Sequence, residues 1–213
     1  MKENLLRFNS KQKFIIFDYE TCNLNLASKE NKPWQLSFIV ADQNKIYESK
    51  DYYLKWDNLN VSEDAAKITG FSKSVYNKKA VDPKLALDHF EKYLYNEEYF
   101  CVGHNVLGFD VYIHNIHRKL CGMNSDYSYI SRIIDTNCLA KGIAKSLKKP
   151  QSKSSISWQY SLNDFKERGL KTSLQQCAKN YKIDFDPKKL HNALYDININ
   201  YQVLKKQLWE VEI

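Results

Sequence analysis

Three strand-like runs follow one another near the start of the chain, at residues 14 to 20, 34 to 41 and 45 to 55, and only afterwards does the pattern turn helical. The Asp42-Gln43-Asn44 break between the second and third runs is short enough for a hairpin. From Val61 to Leu94 apolar residues recur at helical spacing, interrupted near Gly70 and around Pro83, which predicts two helices. Phe100-Cys101-Val102-Gly103 reads as a short buried strand, Phe109 to Leu120 as a helix stopping at Gly122, and Ile130 to Ile134 as a fifth strand ending at Asp135. Helices are expected over 136 to 145, near 161 to 166, over 173 to 181 and from about 192 to 209. A meander followed by strand-helix alternation predicts an α/β fold, a mixed sheet with helices packed against it.

The length and the apolar content, 213 residues and 43% hydrophobic, suit one core and a single domain over 1–213. The formal net charge of +7, spread along the chain, favours a polyanionic partner such as nucleic acid. Cys22, Cys101, Cys121, Cys138 and Cys177 form no Cys-x-x-Cys pair, which argues against a disulfide framework and a zinc site. With no apolar run of signal-peptide or membrane-spanning length, the expectation is a soluble protein of the cytoplasm or another reducing compartment, with no membrane partner. Residues 145–157, rich in Lys and Ser, are expected to form a mobile basic surface loop, with Trp158 and Tyr160 beyond it able to stack on bases.

Three places combine an acid with a local context that explains it. In the first run Phe14-Ile15-Ile16-Phe17 leads into Asp18-Tyr19-Glu20-Thr21. Strand side chains alternate, so Asp18 and Glu20 share a face about 6 to 7 Å apart, with Tyr19 opposite. Two oxygen ligands on one rigid face suit a hard divalent cation such as Mg2+ or Mn2+. In the second, Gly103-His104-Asn105-Val106-Leu107-Gly108-Phe109-Asp110 turns from a strand end into a helix and delivers Asp110 to its first turn, where the helix dipole favours an acid. His104 reads as a hydrogen-bonded structural residue, and Asn105 as one that holds a loop or a ribose. In the third, His191-Asn192-Ala193-Leu194-Tyr195-Asp196 opens the last helix. Inside one helix a spacing of five would set the two about 140° apart, so His191 is placed in the preceding loop, with Asp196 facing inward.

Taken together and in this order, the three segments resemble the DEDDh subgroup of the DEDD 3′-5′ exonucleases, and the resemblance runs from about residue 12 to 208. The Asp135-Thr136 pair also resembles a recurrent feature of that family. The resemblance implies a ribonuclease H-like mixed five-stranded sheet, three strands antiparallel and two parallel, flanked by helices. It implies that Asp18, Glu20, Asp110 and Asp196 hold two divalent cations, Mg2+ or Mn2+, and that His191 deprotonates the attacking water. Thr21, Leu24 and Asn105 are the candidates for gripping the terminal nucleotide. The implied substrate is a nucleic acid with a free 3′ end, single-stranded and DNA ahead of RNA, yielding nucleoside 5′-monophosphates.

Two departures from the family pattern stand out. Where the family has a glycine after its first motif this chain has Cys22-Asn23-Leu24, and Asn is the next-best residue at positive φ. The second motif is one residue longer than in the proofreading epsilon subunit of DNA polymerase III. The alternatives are an RNA-trimming 3′-5′ exoribonuclease, or a polymerase-associated proofreading or nucleic-acid-binding module. With residues 210 to 213 directly after the last helix, a stand-alone enzyme is expected over a tethered one.

Overall fold

A computed structural model describes residues 5–23, 25–26 and 31–213. Its sheet has five strands in the order β3-β2-β1-β4-β5, formed by β1 (Lys13–Thr21), β2 (Pro33–Ala41), β3 (Ile46–Tyr53), β4 (Tyr99–Gly103) and β5 (Ile133–Asp135). β2 pairs antiparallel with both β1 and β3, while β4 lies parallel to both β1 and β5. The expected sheet, three antiparallel strands and two parallel, is the one found.

β1 sits in the middle, which is why Phe14, Ile15, Ile16 and Phe17 are all sealed from solvent at 1% exposure or less. Its two faces meet different helices. Phe17 and Tyr19 pack against Phe90 of α3 (Pro83–Leu94), with ring centroids 5.0 and 6.3 Å apart. The opposite face, which carries Asp18 and Glu20, looks toward α8 (Ala193–Gln207). A smaller apolar cluster of Ala140, Cys177, Ala178, Ile183, Ile199 and Val203 joins α5 (Thr136–Ala144), α7 (Leu174–Asn180) and α8.

The structure departs from the sequence reading in four places. Between Val61 and Leu94 there are three helices, α1 (Glu63–Thr69), α2 (Lys73–Lys79) and α3, where two were expected. Gly70 at φ 68° ends α1, and Ser62, Ser72 and Asp82 each accept a backbone N–H at the next N-terminus, so every turn of that stretch is separately capped. The fifth strand is only Ile133–Asp135, because Ile130–Arg132 winds into a 3₁₀ turn and Asp135 already caps the helix that follows. The helix expected near 161 to 166 is α6 (Ser155–Asp164), begun by Ser154 Oγ accepting from Ser157 N, so residues 155–157 belong to a helix and the connection is 145–154. Finally, Trp158 is 5% exposed and cannot stack on a base. It packs on Gly142 of α5, where a Cβ would come within 3.0 Å of its ring. Tyr160, at 37% exposure, stays open to solvent. Among the described residues no helix is long and apolar enough to cross a membrane.

Candidate active site

Asp18 and Glu20 end the central strand on one face, as alternation requires, and each keeps part of its surface open. Tyr19 between them turns the other way: it is 2% exposed, and its hydroxyl lies 3.2 Å from His117 Nδ1 of α4 (Asp110–Leu120). Its backbone N–H does something else, donating to Asp110 Oδ1 at 3.0 Å. The first motif therefore holds the second through a main-chain donor, and Asp110 lies at the first residue of α4, where the helix dipole favours an acid.

The segment before Asp110 is shaped by two close approaches. A Cβ on Gly103 would meet Val106 Cβ at 2.8 Å, and one on Gly108 would meet Asn105 Oδ1 at 2.7 Å. Asn105 itself sits at φ 67°, a region that Asn tolerates better than most residues. The organiser is Asp135, fully buried at the end of β5. Its Oδ1 accepts from Asn105 N at 2.9 Å, Asn137 N at 2.9 Å and Cys138 N at 3.3 Å, and its Oδ2 from Leu107 N at 3.0 Å. One carboxylate thus caps α5 and fixes the loop that delivers Asp110. His104 Nδ1 lies 2.9 Å from Thr136 Oγ1, and burial pulls its pKa down to about 4, so the ring is neutral.

The third motif divides as the helical geometry demanded. His191 is exposed, in the loop before α8, at φ 65°, and Asn192 is the N-cap, its side chain accepting from Tyr195 N at 3.1 Å. Asp196, in the first turn of α8, reaches back so that its Oδ2 accepts from His191 N at 3.0 Å. Its Oδ1 is buried with no hydrogen-bond partner among the described residues.

Electrostatics shows that the four acids share one space. Burial, then the charges of Asp110, Glu20 and Asp196, push Asp18 well above the carboxylate range, and burial with Asp196 and Asp110 does the same to Glu20. Burial raises Asp110 to about 8 against the opposing bond from Tyr19, and raises Asp196 to about 6 against that from His191. Among the described residues no three His, Cys, Asp or Glu side chains already close on a common point. The donors are all oxygens, and Asp196 Oδ1 is a buried acceptor without a donor. That set fits hard divalent cations.

Of the other residues named from sequence, Thr21 is 5% exposed and its hydroxyl donates to Asn23 O at 2.6 Å, while Leu24 lies outside the described residues. Asn23 does not take the positive φ expected there: its N–H donates to Asn31 Oδ1 at 3.0 Å and its own Oδ1 accepts from Asn25 N at 2.8 Å. The sequence reading missed the surroundings of His191. An open cleft of about 630 Å³ is lined by Lys67, Lys188, Lys189, His191, Asn192 and Tyr195, among others. The Lys188-Lys189 pair two residues before His191 was the available signal.

Comparison with known proteins places this geometry in context. The family model of RNase T, described as exonuclease, matches residues 15–204. No curated protein matches the chain by sequence. Among solved structures, the chain is similar to E. coli exonuclease I in complex with a dT13 oligonucleotide, at 17% identity and a TM-score of 0.69 over 92% of this chain and 40% of that one. It is also similar to the same enzyme with a dA16 oligonucleotide, at 16% identity and a TM-score of 0.71 over 93% and 42%, and to a zinc-bound form of its complex with single-stranded DNA, at 16% and 0.70 over 93% and 42%. At such identities the likeness is one of fold, and this chain spans about two fifths of the length of those proteins.

Proposed function

The chain belongs to the RNase T family of exonucleases, and from that premise we propose that it is a cation-dependent 3′-5′ exonuclease of the DEDDh type, acting on single strands, DNA ahead of RNA. The observation that carries this reading is the gathering of Asp18, Glu20, Asp110 and Asp196 from a strand and two helices into one recessed cluster, with His191 on a loop tied to the last of them. Four like charges at that depth cannot all ionise unaided. Divalent cations held by the four acids would neutralise them and polarise a phosphodiester toward in-line attack by water.

The chain's own residues supply the rest. Asp18 and Glu20 hold their oxygens on the central strand, anchored by the core residues before them. Tyr19 N–H fixes Asp110, and His191 N–H fixes Asp196. The His191 imidazole, exposed on the cleft, takes the proton from the attacking water. Lys67, Lys188 and Lys189 line the same cleft and draw in the phosphates of a strand. Support for a single DNA strand comes from exonuclease I, the fold relative solved with dT13 and dA16. The product is a nucleoside 5′-monophosphate.

The deciding experiment incubates 5′-labelled single- and double-stranded DNA and RNA with Mg2+, Mn2+ or EDTA, beside an Asp18→Ala control. Stepwise shortening of single-stranded DNA with either cation, abolished by EDTA and by Asp18→Ala, is the expected result. If no substrate is shortened with either cation, the reading fails.

A further inference from the structure

Beside the two acids of β1, the neighbouring strands carry a polar row that the proposed chemistry does not use. β2 sets Gln35 opposite Glu20 and Ser37 opposite Asp18, and β3 sets Asp51 opposite Ser37. Residues paired in this way share a face, with Cβ atoms about 4.5–5.5 Å apart. Gln35 is 1% exposed and Ser37 0%, in a strand otherwise filled with apolar side chains. Both donate to one oxygen: Gln35 Nε2 and Ser37 Oγ each lie 2.7 Å from Asp51 Oδ1.

That arrangement orients the amide. A carboxylate only accepts, so the nitrogen of Gln35 has to face Asp51, and the carbonyl oxygen has to face away from it. This oxygen, Gln35 Oε1, is buried and has no hydrogen-bond partner among the described residues. A buried acceptor in a strand that packs everything else is an unfilled requirement for a donor. Glu20, directly across, supplies none when ionised. Water coordinated to a cation does, because its protons point away from the metal.

We propose that Gln35 is a positioning residue for the cation site: its Oε1 accepts a hydrogen bond from a water on the cation held at Asp18 and Glu20, and Asp51 pins the amide in that orientation. The inference rests on the reading that the four acids hold divalent cations. Such outer partners tune a metal by aiming its ligands, and losing one weakens metal binding by about 10–100-fold.

The test is calorimetric titration of the full chain with Mn2+ without nucleic acid, together with the Mg2+ concentration that half-activates DNA shortening. Gln35→Met fills the space without the acceptor, and should weaken Mn2+ binding about 10-fold or more while leaving the strand's KM within about threefold. Should Gln35→Met not fold, Asp51→Asn decides, since an amide there can donate as well as accept and releases Gln35 to turn over; it should weaken Mn2+ binding in the same sense. Parent-like Mn2+ affinity in a folded Gln35→Met, or in Asp51→Asn, overturns the proposal and leaves the exonuclease reading standing. A parent protein that binds no Mn2+ overturns both the cation site and this inference.

Discussion

The backbone amide of His191 donates to Asp196 Oδ2 at 3.0 Å, so the loop that carries the imidazole is tied to the acid it is proposed to serve. The bond uses main chain and not the ring, which leaves both ring nitrogens for other work. It also accounts for His191 at φ 65°, since the chain must turn back sharply for its N–H to meet the first turn of α8.

That division of labour gives a clean substitution. His191→Asn keeps the amide donor and a residue type that tolerates positive φ, and removes only the imidazole. Turnover of a single-stranded DNA should fall on the order of 100-fold or more, while strand affinity measured by anisotropy in EDTA changes less than about threefold. Equal loss of turnover and affinity would remove His191 from the role of base.

The raised acids predict an unusual stability profile. An unfolded Asp loses its proton near pH 4, whereas burial holds the proton on Asp196 to about 6 and on Asp110 to about 8. Between those limits the native state binds more protons than the unfolded one, so stability falls as pH rises from about 4 to 8. With EDTA, the melting temperature should therefore be higher near pH 5 than at pH 8. Mg2+ or Mn2+ should raise it more at pH 8, where the acids must be ionised to hold the cation. A cation effect no larger at pH 8 than at pH 5 would count against the cluster as a cation site.

Asp110→Asn separates stability from activity at one atom. The amide oxygen can still accept from Tyr19 N–H, but the charge that burial opposes is gone. In EDTA at pH 8 the variant should melt a few degrees higher than the parent and shorten no DNA, the trade expected where an acid is retained for chemistry. A lower melting temperature would show that the carboxylate contributes to the fold itself.

Much of this was legible in the residues, and the reason is geometric. Alternation along Phe14 to Thr21 is a period-2 rule, so it placed Asp18 and Glu20 on one face, and the 3.6-residue helical period excluded His191 from the helix that carries Asp196. Asp110 followed from a strand end, a turn and a helix start in sequence. What escaped depends on contacts across the chain: Asp135 reaching back about thirty residues to Asn105 and Leu107, or Asp51 meeting Gln35 from another strand. Trp158 misled for the same reason, because a basic flank says nothing about whether Gly142 leaves room for an indole. Caps act just as decisively, and Ser72 and Asp82 turn an expected pair of helices into three.

Lys67, Lys188 and Lys189 are exposed around the cleft of His191, and among the described residues none of the three enters an ion pair with a carboxylate. Lys67 comes from α1 and the other two from the segment before α8, so two separate parts of the chain bring charge to one cleft. Phosphates held between them would release counterions from the strand, and each contact on a single strand adds about 0.7 to the slope of log affinity against log salt. Replacing all three with Ala should make that slope shallower by about 2, with the weakening alike on dT and dA oligonucleotides because phosphates carry no base identity. The measurement is anisotropy in EDTA across a salt series, using His191→Asn so that no strand is consumed. An unchanged slope would route the strand elsewhere, and a loss confined to one base composition would make the cleft a reader of bases instead of backbone.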